Sequence, residues 1–149
     1  RMKEKIKSEI RSCEICGYPV VNYESGVCMR CEKCGWQSGG DNIEYEKRYG
    51  ISYPMVVPLS RAKVQYKAGK PFKATFEDFI HGLDFYSEMA FTYKGVKYGV
   101  CYRNDYSVLF YNEMQAWSFP TKVEFYKSAS INGNLLKDIW DEVQDPRYM

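Results

Sequence analysis

The spacing of apolar positions changes character along the chain. From Leu59 apolar residues recur at helical spacing, and a second helical segment begins at Thr75, an N-cap followed three residues later by an acid. Across residues 88–119 apolar and polar positions alternate instead, which is typical of strands with one buried face. This change of period predicts helices followed by an antiparallel sheet.

Short polar turns divide the alternating region into strands, the first turn being Lys94-Gly95. Four strands are predicted, at residues 89–93, 96–102, 106–111 and 114–118. Two further helices are predicted after them, at 121–127 and 135–143. The order of elements predicts an α+β fold, an antiparallel β-meander with its helices packed on one face.

The N-terminal part is organised by cysteines rather than by an apolar period. Cys13-Glu14-Ile15-Cys16-Gly17-Tyr18 and Cys31-Glu32-Lys33-Cys34-Gly35-Trp36 are near copies, separated by the 14 residues from Gly17 to Arg30. Two residues between thiolates let one tight turn aim both sulfurs at a point, and the following glycine permits positive φ. This spacing is typical of two knuckles that close on one tetrahedral zinc ion.

The sequence therefore predicts a structural zinc site, with the metal ligands Cys13, Cys16, Cys31 and Cys34. Four thiolates fill all four positions and leave none for water, which argues against catalysis at the metal.

Two alternatives to this ligand set stay open. Cys28 and Cys31 also form a Cys-x-x-Cys pair, but only the Cys31–Cys34 pair is followed by glycine, so we expect Cys28 on the preceding ribbon strand as a spare or buried thiol. The six cysteines also permit a disulfide framework. Such scaffolds are usually short and secreted, and no apolar signal segment begins this chain, which favours zinc.

The pattern predicts three regions. Residues 1–40 form a zinc ribbon, with a lead-in that is a short helix or disordered, a strand at 18–23, a turn at Glu24-Ser25-Gly26 and a return strand. A polar linker begins near Gly39-Gly40 and occupies residues 41–58. Residues 59–149 form the α+β domain.

Charge and hydropathy narrow the classes of function. Lys and Arg number 9 against 8 Asp and Glu in residues 1–50, and 12 against 11 in residues 51–149. Balanced halves weaken a nucleic-acid function, which needs clustered cations. No apolar run approaches the ~20 residues that span a bilayer. With zinc held by free thiolates and no signal segment, we expect a cytoplasmic protein without membrane association.

Aromatic residues make up 17% of the chain, including 14 Tyr. Large rings are enriched at the centres of protein interfaces. The candidate partner surface is therefore the sheet face that the helices do not cover, lined by Tyr93, Tyr111, Trp117 or their alternates. Tyrosines on an open sheet can also stack bases, with Lys97 and Arg103 beside them, which is the alternative.

No catalytic residue is predicted. His81 is the only histidine, and it lies at three-residue spacing from Asp78 and from Asp84. It could activate Cys101 as a nucleophile, although a histidine near a helix end is usually a cap or surface residue and a lone strand cysteine a small hydrophobe. Phosphate loops, paired-carboxylate motifs and Gly-x-Ser-x-Gly are missing from the sequence.

The two knuckles, the polar linker and Leu59-Ser60-Arg61-Ala62-Lys63 followed by Tyr66 resemble the small bacterial cysteine-rich proteins named for a Cys-Pro-Cys-Cys motif. The resemblance covers about residues 12–70 and implies zinc binding without an assigned activity. The C-terminal half, through residues 88–98 and 131–140, is similar to uncharacterised domains of Firmicutes genomes and mobile elements.

These resemblances imply a bacterial, phage or mobile-element origin. Together with the residue patterns they favour a non-enzymatic protein-interaction module, such as an inhibitor, an antitoxin or an accessory subunit. The alternative is a nucleic-acid-binding regulator that uses the ribbon and the aromatic sheet face.

Overall fold

The computed structural model describes residues 8–23 and 29–149, and the chain divides into two compact units, Arg1–Lys73 (unit 1) and Ala74–Met149 (unit 2). The predicted turn at Glu24-Ser25-Gly26 and the role of Cys28 lie outside the described residues. Each unit contains both helices and antiparallel strands, which confirms the α+β prediction.

Unit 1 begins with two short hairpins, each closed by one cysteine knuckle. Strand β1 (Ser8–Ser12) pairs with β2 (Pro19–Tyr23) across the first knuckle. Strand β3 (Met29–Arg30) pairs with β4 (Gln37–Ser38) across the second. The predicted ribbon strands are confirmed. The lead-in prediction is wrong for residues 8–12, because pairing with β2 draws this polar segment into a strand.

The segment that the sequence presents as a linker contains helix α1 (Asn42–Tyr49). The Asp41 side chain accepts the Glu44 N–H at 3.1 Å, and Gly50 ends the helix at φ 72°. The chain divides after Lys73 rather than at residue 58.

Helix α2 (Leu59–Lys67) follows and buries Leu59 and Ala62. Its N-cap is Pro58, and the Ser60 N–H donates to Glu46 Oε1 of α1 at 2.7 Å.

Unit 2 begins with helix α3 (Phe76–Gly82), whose start the sequence predicts correctly. Thr75 accepts the Asp78 N–H at 3.0 Å, and Asp78 accepts the Thr75 N–H at 2.8 Å, so both halves of the capping box are present.

A five-stranded antiparallel sheet follows, in the order β11-β5-β6-β7-β8. Its strands are β5 (Glu88–Tyr93), β6 (Val96–Tyr102), β7 (Val108–Tyr111), β8 (Ala116–Phe119) and β11 (Gln144–Tyr148). Between β8 and β11 lie α4 (Lys122–Ser128), the hairpin of β9 (Ser130–Ile131) and β10 (Asn134–Leu135), α5 (Leu136–Ile139) and a 3₁₀ turn (Trp140–Glu142).

The core of unit 2 is an aromatic layer between its helices and one face of the sheet. Phe91 of β5 lies 5.7 Å from Phe79 of α3 and 5.5 Å from Trp140, centroid to centroid. Phe110 of β7 lies 5.6 Å from Phe125 of α4. We call this side of the sheet, which also carries Met89 and Val100 by register, the helix face.

Three predicted boundaries in unit 2 are wrong. The third strand starts at Val108 because Tyr106 takes φ 67° in the preceding turn. The fourth strand starts at Ala116 rather than at residue 114, because the Asn112 side chain accepts the Met114 and Gln115 N–H groups, both at 2.8 Å, in the preceding turn. The last helix stops at Ile139, and after the 3₁₀ turn the chain returns as edge strand β11 beside β5.

Candidate metal centre

The two knuckles repeat the same backbone geometry. In the first, the Gly17 N–H donates to Cys13 O at 2.9 Å and the Cys13 N–H to Tyr18 O at 2.8 Å. In the second, the corresponding distances are both 2.8 Å. Gly17 and Gly35 take φ of 80° and 84°, which L side chains rarely adopt. The predicted role of these glycines is confirmed.

The hairpins bring the four predicted cysteines together. Their Sγ atoms all lie within 4.8 Å of one another, with Cys13 to Cys34 at 3.7 Å and Cys16 to Cys31 at 3.6 Å. A tetrahedral ion with ~2.3 Å bonds to sulfur needs sulfurs about 3.8 Å apart, whereas a disulfide bond is ~2.05 Å long. The cluster therefore has the spacing of a four-thiolate metal site, made of free cysteines.

Burial and backbone amides act in opposite directions on these thiols. Burial raises the pKa of Cys13 and outweighs the hydrogen bonds from the backbone N–H groups of Cys16 and Ile15, which lower it. The Ile15 nitrogen lies 3.4 Å from the Cys13 sulfur. Burial also raises the pKa of Cys34. At Cys31 burial is outweighed by hydrogen bonds from the Cys34 and Lys33 backbone and from neighbouring thiols, which lower the pKa to about 7.

A carboxylate that sequence reasoning did not single out ties the site to the rest of unit 1. Glu14, inside the first knuckle, accepts the Trp36 indole N–H at 3.2 Å, the Ser38 hydroxyl at 3.1 Å and the Asn42 amide at 2.8 Å. Asn42 is 1% exposed, and its Oδ1 accepts the Tyr53 N–H at 2.8 Å. We call Glu14, Trp36, Ser38 and Asn42 the Glu14 network.

Trp36 is part of the core rather than of a surface. It is 1% exposed, and its ring meets Phe72 edge to face at a centroid distance of 5.2 Å. The aromatic residue that ends the second knuckle thus anchors the chain beyond α2 to the ribbon.

A cavity of about 470 Å³ lies beside the cluster, between the knuckles and the start of α1. Its polar walls include Glu14, Ser38 and Asn42. These three polar side chains of the cavity wall are bonded to one another in the Glu14 network.

The candidate enzyme pair does not come together. Helix α3 packs on the helix face, through Phe79 against Phe91, whereas Cys101 lies on the other face by strand alternation. His81 is exposed, with its ring 5.1 Å from Phe85. The sheet thus separates the imidazole from the thiol.

The predicted partner residues divide between the two faces of the sheet. Tyr93 and Trp117 lie on the helix face, Trp117 with its ring 5.3 Å from Phe110. Tyr111 and Lys97 lie on the opposite face, and Arg103 lies in the turn after β6. Tyr111 is therefore the one of the three named aromatic residues on the face opposite the helices.

Comparisons with models of protein families, with curated proteins and with solved structures find no match. The resemblance to the Cys-Pro-Cys-Cys proteins and to Firmicutes domains stays a prediction. Across residues 8–23 and 29–149 no helix combines the length and apolar character needed to cross a membrane.

Proposed function

We propose that the chain is a non-enzymatic, zinc-stabilised protein-interaction module of a bacterium, phage or mobile element. Its partner would be a protein that it inhibits, neutralises as an antitoxin or serves as an accessory subunit. Two features support this proposal: a four-cysteine centre without an open coordination position, and a sheet face opposite the helices.

Zinc is the metal that four thiolates in a structural site take most often. Purified protein should hold one zinc per chain, and Cys16→Ser or Cys34→Ser should lower that content to near zero. Cys101→Ser is the control, because Cys101 lies outside the cluster. Iron in place of zinc, or equal metal loss in the control, would contradict this part of the proposal.

The observation that carries partner binding is the face of the sheet opposite the helix face. A row of small residues crosses it, with Ala90, Gly99 and Ala116 in register beside Tyr111. The Tyr111 ring lies over Gly99, where an added Cβ would be 2.3 Å from Cζ. We call these residues, with Leu109, the small-residue face.

Ala90 and Gly99 are buried, Gly99 under the Tyr111 ring, so the accessible part of this face is Leu109, Tyr111 and Ala116. A ring flanked by an aliphatic and a small side chain suits protein contact. Glu88 and Lys97 are exposed on the same side of the sheet and give it a charged margin. Burial raises the pKa of Tyr111, and the carboxylate of Glu88 adds to that effect, so the phenol stays neutral at physiological pH.

The test is capture of proteins from a nuclease-treated bacterial lysate on the tagged chain. Leu109→Asp with Tyr111→Ala should lose a partner that the wild type retains. Val123→Asp, an equal apolar-to-acidic change at an exposed position of α4, should keep it. A partner bound equally by all three proteins, or captured only without nuclease, would contradict the proposal.

A further inference from the structure

The two units carry opposite net charge, which is hidden when the chain is divided at residue 50. Unit 1 contains 14 Lys and Arg against 8 Asp and Glu, and unit 2 contains 7 against 11. The formal charges are therefore +6 and −4, within a chain whose net charge is only +2. An excess of this size in one compact unit points to a polyanionic partner for unit 1.

The excess is concentrated in one segment, residues 60–73. These 14 residues contain five cations and no acid. The cations are Arg61, Lys63, Lys67, Lys70 and Lys73, which we call the basic helix surface. Without the segment, the chain holds 16 Lys and Arg against 19 Asp and Glu.

Helix α2 presents most of these cations to solvent. Leu59 and Ala62 are buried, whereas Arg61, Lys63 and Lys67 are exposed. Lys63 and Lys67 are four residues apart and so share one side of the helix, about 6 Å apart along its axis.

The chain after α2 is held in a fixed course rather than trailing into solvent. Gly69 takes φ 70°, and the Lys70 N–H reaches back to Gln65 O at 2.9 Å, which closes the helix as in a Schellman motif. The Gln65 side chain then donates to Lys73 O at 2.9 Å and accepts the Lys73 N–H at 3.0 Å. Lys70 and Lys73 are thereby fixed beside the helix.

We propose that the basic helix surface binds the sugar–phosphate backbone of nucleic acid, without reading its sequence. Cations clustered on one helix and on the turn that closes it release counterions from phosphates and gain affinity that falls with salt. The site is independent of the small-residue face and of a protein partner there.

The surface fits nucleic acid better than the other polyanions. Lysine is depleted from the centres of protein interfaces, where it would have to be desolvated. A membrane-surface helix needs a broad apolar face for insertion. Leu59 and Ala62 of α2 are buried and Tyr66 is half-buried, which leaves Val64, at 66% exposure, as the exposed aliphatic side chain of the helix.

The test measures binding of fluorescently labelled 20-nucleotide single-stranded and duplex DNA to the full, metal-loaded chain, at 50 to 200 mM salt. Lys63→Glu, Lys67→Glu and Lys70→Glu together should weaken binding at least 10-fold. The slope of log affinity against log salt should become shallower by about 2 to 3, because each lost phosphate contact removes about 0.7 to 0.9.

The control reverses the same number of charges in unit 2, with Lys94→Glu, Lys127→Glu and Lys137→Glu, all at exposed positions. It should bind within about 3-fold of the wild type. If the first triple variant does not fold, glutamine replaces Lys63, Lys67 and Lys70 in its place. This variant should also bind DNA more weakly than the wild type, by a smaller factor.

Three results would overturn the proposal. The first is no wild-type binding to either DNA at 50 mM salt and tens of micromolar protein. The second is an equal loss in the control, which would make the attraction a matter of net charge alone. The third is binding to phosphatidylserine vesicles without binding to DNA, which would assign the surface to a membrane.

Discussion

At the scale of single residues, the Glu14 carboxylate is the hydrogen-bond acceptor that connects the elements of unit 1 outside the cysteine cluster. It lies between Cys13 and Cys16 of the cysteine cluster in sequence and accepts hydrogen bonds from Trp36, Ser38 and Asn42. A buried amide or indole N–H without an acceptor costs about 1 to 3 kcal/mol. One acceptor therefore joins the first knuckle to β4 and α1.

We predict that Glu14→Ala lowers the free energy of unfolding of metal-loaded unit 1 by about 1 to 3 kcal/mol, because it leaves the Asn42 amide and the Trp36 indole without this acceptor. Glu32→Ala is the matched control, since Glu32 occupies the same place in the second knuckle and is exposed. It should change stability by less than about 0.5 kcal/mol. Urea unfolding followed by amide signals of residues 29–49 measures both, and equal losses would contradict the assigned role of Glu14.

The same pair of residues shows where prediction from sequence ends. Cysteine spacing alone predicts the four clustered sulfurs, because the ligand geometry is local to each knuckle. Glu14 and Glu32 are the same residue type at the same position of the motif, so the sequence does not distinguish them. Only a contact with Asn42, on a helix that the sequence pattern does not reveal, gives Glu14 its role.

At the scale of elements, local rules explain most of unit 2. The Thr75–Asp78 capping box and the Lys94-Gly95 hairpin depend on residues within four positions, and both are present. Helix α1 was missed because it is mainly polar, although Asp41 and Gly50 mark its ends. Strand β11 was missed because a long-range pairing with β5 gives residues 144–148 their conformation.

Two glycines of unit 2 lie under tyrosine rings, and the two rings differ in how far they can move. An added Cβ at Gly82 would be 2.5 Å from Cε1 of Tyr148, which is 3% exposed, and 3.0 Å from Cε of Met89. At Gly99 it would be 2.3 Å from the ring of half-buried Tyr111.

We predict that Gly82→Ala costs about 1 to 3 kcal/mol of stability, because buried neighbours must shift. Gly99→Ala should cost less, because the Tyr111 ring can swing toward solvent. Urea unfolding of the two variants measures the difference. A greater loss at Gly99 would show that Tyr111 is fixed on the small-residue face.

A hydrogen bond between α4 and α3 makes a small, pH-dependent contribution to stability. The Tyr126 hydroxyl donates to Glu77 Oε2 at 2.7 Å and lowers the pKa of Glu77. Since the folded pKa is below the unfolded value of about 4.3, the contribution is present above that pH and is lost as pH falls through the folded pKa.

We predict that Tyr126→Phe returns the pKa of Glu77 toward its ordinary value, measured by NMR titration of the carboxyl group. The variant should lose a few tenths of a kcal/mol of stability at pH 7 and nothing near pH 2, because Glu77 is exposed and solvent screens the interaction. Tyr106→Phe, at an exposed turn, should leave this titration unchanged. A Glu77 pKa that stays lowered in Tyr126→Phe would assign the lowered value to another cause.

At the scale of the whole molecule, the chain is two units with opposite charge and different means of stabilisation. Unit 2 has a continuous aromatic core, in which Phe79, Phe91 and Trp140 are in mutual contact. Unit 1 has two-residue strands in its second hairpin, and its hairpins are joined by the four-cysteine cluster and the Glu14 network. Counts of charged residues on either side of residue 50 do not reveal this asymmetry. The division between the units lies after Lys73, and it becomes visible only from the packing within each unit.

The measurement that tests the account most directly is amide hydrogen exchange of the full chain before and after stoichiometric removal of its metal. Structural zinc supplies on the order of 10 kcal/mol that is coupled to folding. We predict that β1 to β4 and α1 lose protection on removal, that the sheet of unit 2 keeps it, and that one equivalent of zinc restores the loaded pattern. Protection of unit 1 that persists without metal would contradict a metal-dependent fold.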